Sequence, residues 1–237
     1  MNSSNKQNAK SFKYWIRALI AGAVLLAGAA PVFADVLPPD GSNYAQFAGR
    51  WWKWFMQLPL TNSAGIVHPA IDAGPAAFDV TEGQSSDIWF LAAPFGTVTR
   101  SATIPSGKPL FFALLTAEQS SLEDPSCTTA SCQAGVATYL ANHIVDLSCE
   151  IDGVPVDNLS SFRFVNPQIT FTAPTPWIFG STGGTGTSVG DGYYVFLNPL
   201  SAGQHTIHFG GDFQFTKKAD GFRFYLALDM TYNITVQ

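Results

Sequence analysis

The clearest pattern in the chain is an alternation of apolar residues with mostly polar ones at the C-terminus. Every even position from Phe222 to Val236 is apolar, whereas the odd positions include Arg223, Asp229 and Asn233. Because successive side chains of a strand point to opposite faces, this alternation predicts a half-buried antiparallel strand. The strand would be about 50 Å long at ~3.3 Å per residue, so we expect it to bend or to serve two sheets.

A second pattern, between Asn43 and Leu58, has a helical period. Seven apolar side chains, most of them aromatic, fall within about 120° of arc, and polar residues lie opposite. Asn43, followed three residues later by Gln46, resembles a capping box, and Pro59 ends the pattern. We predict an amphipathic aromatic helix packed on a sheet.

The rest of the chain predicts many short strands and one further helix. The strands are predicted at 87–93, 97–104, 110–115, 148–156 (a hairpin), 162–165, 169–172, 193–197 and 204–209, with loops at 118–126 and 180–192. The second helix is predicted over 131–144, with Val136, Leu140 and Ile144 on one stripe. This pattern favours a mainly β fold, an antiparallel β-sandwich that is jelly-roll-like or immunoglobulin-like, with an N-terminal aromatic helix and a second short helix.

Residues 1–34 have the composition of a secretory signal peptide. Four basic residues precede an uncharged, Ala/Leu-rich stretch at 18–30, which is too short to cross a bilayer. A Val-Phe-Ala sequence ending at Ala34 supplies a cleavage site. We therefore predict export to the periplasm or the medium, with cleavage after Ala34 and a single domain over 35–237.

The charge balance argues against anionic partners. The chain has 12 basic and 17 acidic residues, a net charge of −5, and removal of the four basic residues in 1–34 leaves −9. This acidity disfavours nucleic acids and other anionic surfaces as partners. No stretch after the signal peptide is long and apolar enough to span a membrane.

The three cysteines suggest one disulfide. Cys127 and Cys132 lie in a polar loop, whereas Cys149 shares a predicted strand face with Leu147 and Ile151. We predict a Cys127–Cys132 bridge and a buried, free Cys149, with a Cys132–Cys149 bridge as the main alternative. The spacing disfavours a zinc site, because no Cys-x-x-Cys pair or nearby His is present.

Four segments in this order resemble a family of exported bacterial β-rich proteins with no assigned activity. They are RWWKW at 50–54, QSSDIWFLA at 84–92, IPSGKPLFF at 104–112 and GQHTIHFGG at 203–211. The resemblance implies a bacterial, exported, single-domain protein. It implies no substrate and no catalytic residues.

The tryptophans of the aromatic helix are candidates for a platform that stacks on sugar rings. Trp51 and Trp54 lie on the apolar stripe, where we expect core packing. Trp52 and Met56 lie at its border and are expected to be partly exposed. Trp52 is therefore the tryptophan that we expect to contact a ligand.

His68 and Asp72 lie four residues apart in an irregular segment that also contains Glu82. A histidine with carboxylates can ligate a metal or form an acid–base pair, although this spacing is not specific. His205 and His208 are three apart in a predicted strand and point to opposite faces, so we expect no joint metal site. We expect His205 to be hydrogen-bonded in the core and His208 to lie on the surface.

Arg100 and Asp191 are two further charged candidates for ligand binding. Arg100 lies in a predicted strand and could bind an anionic group, although solubilisation of an edge strand or an ion pair with Asp87 is favoured. Asp191 lies in the Gly-rich segment 180–192, which lacks the order of a phosphate-binding loop. That segment is predicted to be a surface loop, with a mobile loop beside a ligand cleft as the alternative.

No catalytic motif occurs in the chain. We expect a non-catalytic binding module for a neutral ligand such as a glycan, or for an envelope protein, without cofactor or metal. The alternatives are a secreted hydrolase with a site near residues 68–82 and a structural or assembly component of the cell envelope. The candidate ligand-binding residues are Trp52, His68, Asp72, Arg100 and Asp191.

Overall fold

The computed structural model describes residues 34–71, 82–84 and 87–237. The predicted signal peptide, apart from Ala34, and the candidate ligand residue Asp72 lie outside these ranges. Within these ranges, no helix has the length and hydrophobicity needed to cross a membrane.

Two five-stranded sheets pack together to form the core. The strands are β1 (Trp89–Leu91), β2 (Gly96–Ile104), β3 (Leu110–Ser120), β4 (Ile144–Ile151), β5 (Val154–Pro155), β6 (Arg163–Val165), β7 (Ile169–Ala173), β8 (Gly184–Leu197), β9 (Gly203–Phe215) and β10 (Phe224–Val236), and the helices are α1 (Gly41–Gln57), α2 (Ala130–Ala141) and α3 (Lys217–Asp220). The first sheet has the order β1-β3-β8-β6 with β7 also on β8, and the second has the order β2-β10-β9-β4-β5. The predicted mainly β sandwich with two helices is confirmed, and both sheets are mixed because β1–β3 and β2–β10 are parallel.

The long alternating segment forms β10, which lies inside the second sheet. It pairs with β9 in an antiparallel manner and with β2 in a parallel manner, so it serves one sheet and not two. Its even residues from Leu228 to Val236 are buried, as the alternation predicts. Phe222 and Phe224, at the start of the pattern, are 49% and 47% exposed.

The aromatic helix α1 packs on the first sheet. The Tyr44 ring lies 6.0 Å from the Phe111 ring of β3, centre to centre. The helix begins at Gly41, because the carbonyl of Asp40 accepts the Tyr44 N–H at 3.0 Å. The predicted capping box is therefore wrong, since Asn43 lies in the first turn and its amide donates to the Asp40 carboxylate at 3.0 Å.

Helix α2 packs on β3 and β8 from the face opposite α1. Its buried residues are Gln133, Ala137 and Ala141. The predicted stripe of Val136, Leu140 and Ile144 is therefore wrong, and Ile144 already belongs to β4. Small residues on the buried side let α2 lie close to the sheet.

The two central strands of the first sheet are longer than predicted. β3 runs on to Ser120 and β8 begins at Gly184, so much of the predicted loops at 118–126 and 180–192 is strand. The prediction of a loop over 180–192 is wrong for residues 184–192, because the glycines of this segment let β8 lie close to its neighbours instead of forming a turn. A Cβ at Gly192 would lie 2.4 Å from Cα of Thr116 on β3.

The cysteine prediction is confirmed. Cys127 and Cys132 form a disulfide with their Cα atoms 5.5 Å apart, and Cys149 is free and buried. Burial raises the pKa of the Cys149 thiol to about 12. This thiol is therefore a packed core group and not a reactive one.

Candidate functional site

The candidate site is an apolar cavity of about 450 Å³ along the free edge of β3, which we call the edge cavity. β1 pairs only with Leu110–Phe112 of β3. In the described part of the chain, no strand pairs with residues 113–118 on that side, and these residues line the cavity. Trp52 and Phe55 of α1 form one wall, and the second sheet forms another through residues such as Phe213.

The lining of the edge cavity is almost entirely apolar. Among the described lining residues, only Thr116, Glu118 and Glu123 carry a side-chain oxygen. Three aromatic rings at its mouth, those of Phe95, Phe179 and Phe224, are 46%, 40% and 47% exposed. The cavity therefore opens to solvent through an aromatic rim.

A pair of carboxyl groups supplies most of the polarity of the cavity. Glu118 is nine-tenths buried, with 9% of its surface exposed. Ser188 donates to one of its carboxyl oxygens, and Oε1 has no hydrogen-bond partner within the described residues. The carboxyl group of Glu123 lies beside it and accepts a hydrogen bond from Ser120 Oγ at 2.8 Å.

The surroundings of Glu118 favour its protonated form. Burial, and next a hydrogen bond with the adjacent Glu123 carboxyl group, raises the pKa of Glu118 well above its ordinary value. No basic side chain is found among the described lining residues. A protonated carboxyl group in an apolar site can donate a hydrogen bond to an acceptor in a ligand.

A chain of hydrogen bonds holds the Trp52 wall in place. The indole Nε1 donates to the Tyr194 hydroxyl at 2.9 Å. The Thr116 hydroxyl donates to the carbonyl of Asp191 at 3.0 Å, so at 2.6 Å it accepts from Tyr194. Burial raises the pKa of Tyr194, which keeps this donor protonated. These hydrogen bonds therefore fix the position of the Trp52 indole in the cavity wall.

The expected exposure of Trp52 and Met56 is wrong, because they are only 4% and 0% exposed. The space for the indole comes from Gly190 on β8, where a Cβ would lie 2.2 Å from Nε1 of Trp52. Trp52 is thus a packed wall and presents no open platform for a sugar ring. It is the one predicted ligand residue, of those the structure describes, that lines the edge cavity.

His68 is a buried structural residue. It is 1% exposed, Nδ1 accepts the Ala70 N–H at 3.1 Å, and Nε2 therefore donates to the Phe55 carbonyl at 2.9 Å. Burial lowers the pKa of His68 to about 4. The space beside His68 and Glu82 measures only about 10 Å³, which is about one water molecule in size.

Arg100 is also a core residue. It is 0% exposed, although β2 is an edge strand, so the predicted role in edge solubilisation is wrong. Its guanidinium donates to the carbonyls of Pro69 at 2.8 Å and Ala92 at 3.2 Å. Asp87, the partner predicted for Arg100, forms an ion pair of 2.6 Å with Arg50 at the surface.

Asp191 lies on the face of the first sheet that α2 covers, which is opposite the face that carries Glu118. Its carboxylate accepts two hydrogen bonds from Arg163, from Nε at 2.9 Å and Nη2 at 2.8 Å. These hydrogen bonds raise the pKa of Arg163. Asp191 is 1% exposed and does not line the edge cavity. The predicted ligand residues therefore do not converge on one cleft.

The predicted difference in the surroundings of His205 and His208 is found in the structure. His205 is hydrogen-bonded to Asp152 at 2.7 Å with 8% of its side chain exposed, whereas His208 contacts Asp229 at the surface with 43% exposed. They lie on opposite faces of β9. Residues 34–71, 82–84 and 87–237 contain no group of three or more His, Cys, Asp or Glu that could hold a metal ion.

Glu118 and Glu123 lie in the predicted loop at 118–126 and are not among the predicted ligand residues. Glu118 instead belongs to β3. A usable signal was the apolar pattern continuing through Ala117, which extends the strand and directs Glu118 to the face of Thr116.

Comparisons with family models, curated proteins and solved structures found no match to this chain. The resemblance to exported bacterial proteins therefore stays a prediction. The function has to be argued from the geometry of the edge cavity.

Proposed function

We propose that this protein is an exported, non-catalytic binding protein for a neutral, mostly apolar small molecule. The observation that carries the proposal is the edge cavity, an apolar space of about 450 Å³ with a buried carboxyl group, Glu118, in its wall. Ligand sites usually have about 300–1,000 Å³, apolar walls and a few polar groups that orient the ligand. The edge cavity has each of these properties.

The chemistry of the lining restricts the ligand. Aromatic and aliphatic walls favour a hydrocarbon body, and Glu118 adds one carboxyl group to this lining. The Glu123 carboxylate disfavours an anionic head group. A glycan carries many more hydroxyl groups than three oxygen-bearing side chains can satisfy. The hydrolase alternative lacks support, because backbone groups occupy both nitrogens of His68.

Titration with Nile red, a neutral apolar dye that carries a carbonyl group, tests the proposal. We expect saturable fluorescence enhancement together with a change in the emission of the protein's tryptophans. Ala93→Phe places a ring in the cavity wall and should weaken binding by about tenfold or more. Ala202→Phe, at an exposed position outside the cavity, is the matched control. Absence of dye binding, or equal binding by both variants, would overturn the proposal.

A second pair of variants tests the role of Glu118. Glu118→Gln keeps a donor of similar shape, whereas Glu118→Met removes it. Loss of one hydrogen bond to the dye should weaken binding by about fivefold in the Met variant relative to the Gln variant. Equal affinities would show that Glu118 does not contact the ligand.

A further inference from the structure

The turn between β9 and β10 has an unusual surface. We call residues 216–225 the hairpin tip. It contains Lys217, Lys218 and Arg223, which are three of the eight basic residues between 35 and 237. It also contains Phe222, Phe224 and Tyr225, which are 49%, 47% and 61% exposed. Basic and aromatic side chains thus share one exposed end of the molecule.

The rings of Phe222 and Phe224 pack against a common base, whereas Tyr225 lies on the other face of the hairpin and hydrogen-bonds to Asp212 of β9. Phe215 is buried, and the rings of Phe222 and Phe224 lie 5.4 Å and 5.9 Å from its ring. His143 stacks on the same ring at 4.0 Å. Exposed large apolar residues that cluster in this way mark an interaction surface more often than isolated ones do.

The charge of the hairpin tip opposes that of the rest of the chain. Asp220 is its one acidic residue. The Asp220 carboxylate accepts the Thr216 N–H at 2.7 Å and contacts His143 Nε2 at 2.8 Å. Within residues 34–71, 82–84 and 87–237, none of the three basic side chains forms an ion pair, so they make a positive patch on a chain whose residues 35–237 have a net charge of −9. Such a patch complements an anionic surface, although the chain as a whole does not.

We propose that the hairpin tip docks on an anionic lipid bilayer. Phe222 and Tyr225 would enter the headgroup region, and Lys217, Lys218 and Arg223 would contact lipid phosphates. A compact tip can touch a bilayer at one end of the molecule while the acidic remainder of the domain stays away from the anionic surface, whereas a long nucleic acid would also pass that remainder. This inference goes beyond ligand binding in the edge cavity.

Docking would also orient the cavity. Phe224 of the hairpin tip and Phe215, which directly precedes the tip, line the edge cavity as well. Contact with the bilayer would therefore place the cavity mouth near the lipids, and a ligand could pass between them without crossing water. This consequence, unlike docking itself, rests on the proposed function.

Co-sedimentation of the chain 35–237 with vesicles tests the docking. We expect binding to vesicles of phosphatidylcholine mixed with phosphatidylglycerol, much weaker binding to pure phosphatidylcholine, and weakening by salt. The double variant Lys217→Gln/Lys218→Gln should bind the mixed vesicles about 25-fold more weakly, at about fivefold for each lysine. Equal removal of charge by Lys53→Gln/Lys108→Gln is the control and should leave binding nearly unchanged.

The aromatic part has its own variant. Phe222→Ser/Tyr225→Ser should weaken binding to both kinds of vesicle, whereas Val154→Ser/Val165→Ser, which alters two other exposed side chains, should not. Absence of wild-type binding to mixed vesicles, or equal binding by the lysine variant and its control, would overturn the inference. Absence of vesicle binding would be the result if the partner of the hairpin tip were an acidic protein instead of a bilayer. Nile red binding in vesicle-free solution should persist in all four variants, so failure of docking is distinguishable from failure of the cavity proposal.

Discussion

The two faces of the β3–β8 pair bury carboxyl groups in different ways. Glu118 pairs with Gly190, and the next pair in the ladder is Ala117 with Asp191, so the two carboxyl groups start one step apart and point to opposite faces. Asp191 has Arg163 at 2.8–2.9 Å. Glu118 has a hydroxyl donor and a second carboxyl group as neighbours.

Burial of a charge without compensation is very unfavourable, and each carboxyl group avoids it in its own way. Asp191 is compensated by a bidentate ion pair, which satisfies both oxygens and ties β6 to β8. Glu118 instead favours its protonated form, beside the Glu123 carboxyl group and the Ser188 hydroxyl. The first arrangement therefore completes a structural contact between two strands, whereas the second adds a carboxyl group to the lining of a cavity.

The largest effect on stability should come from removing the indole of Trp52, which forms the cavity wall near Glu118. Trp52→Ala should lower the free energy of unfolding by about 3–5 kcal/mol, because a buried indole leaves a large void and the Tyr194 hydroxyl loses its donor. Denaturant unfolding measures this loss. Val165→Ala, at a 43% exposed position, should change stability by less than about 0.5 kcal/mol. Losses of similar size would mean that the indole is not packed.

The next largest effect should come from the other face. Asp191→Asn removes the counter-ion of Arg163 and should lower stability by about 3 kcal/mol, at the low end for buried pairs because the Arg163 side chain is 28% exposed. Asp229→Asn, in an exposed pair with His208, should change stability by less than about 1 kcal/mol. Urea titrations of both variants, compared with the parent chain, test this. Equal losses would contradict a special role for the Arg163 pair.

Glu118→Gln should act in the opposite direction. The folded pKa of about 10 lies above the ordinary value of 4.5, so the unfolded chain loses this proton first as the pH rises. Wild-type stability should therefore fall through this group as the pH rises above its ordinary pKa, by at most about 1.4 kcal/mol per pH unit. The Gln variant should be more stable than the parent at pH 8 and should lose this slope. Parallel curves of stability against pH would show that Glu118 is ionised in the folded protein.

His68 should produce a smaller effect of opposite sign, over a narrower range of pH. Its folded pKa of about 4 lies below the ordinary 6.5, so its contribution to stability is present above pH 6.5 and is lost as the pH falls toward 4. Over the first pH unit the loss should be about 1 kcal/mol. His68→Gln can keep the hydrogen bond to Phe55. The variant should lose less stability than the parent chain as the pH falls from 6.5 toward 4, measured as the melting temperature. An equal loss of stability in the variant and the parent chain would show that groups other than His68 cause the sensitivity to acid.

The local pattern of apolar and polar residues is enough to predict several elements of the structure. The alternation from Phe222 to Val236 and the aromatic period before Pro59 specify β10 and α1, because a strand and a helix that each bury one face have periods visible in the sequence. The Cys127–Cys132 bridge follows in the same way from a short polar loop. These predictions needed no knowledge of what packs against each element.

The site itself could not be predicted in this way. Trp52 lies at the border of the α1 stripe, and only a glycine on β8, more than a hundred positions away in the sequence, makes room for its burial. The same glycines predict a loop when the sequence is considered alone, since close approach and flexibility both require the absence of a side chain. Arg100 and His68 carry polar groups, yet backbone carbonyls brought by distant segments accept their hydrogen bonds.

The sequence alone thus determined a mainly β fold with an aromatic helix, an acidic domain and one disulfide, because periodicity, net charge and loop length are local or additive properties. Only the tertiary structure decided which of the polar residues are structural and which line a cavity. Whether Glu118 meets a cation, as Asp191 does, depends on which side chain another strand places opposite it. That pairing is a property of sheet order and register, and the sequence of β3 does not contain it.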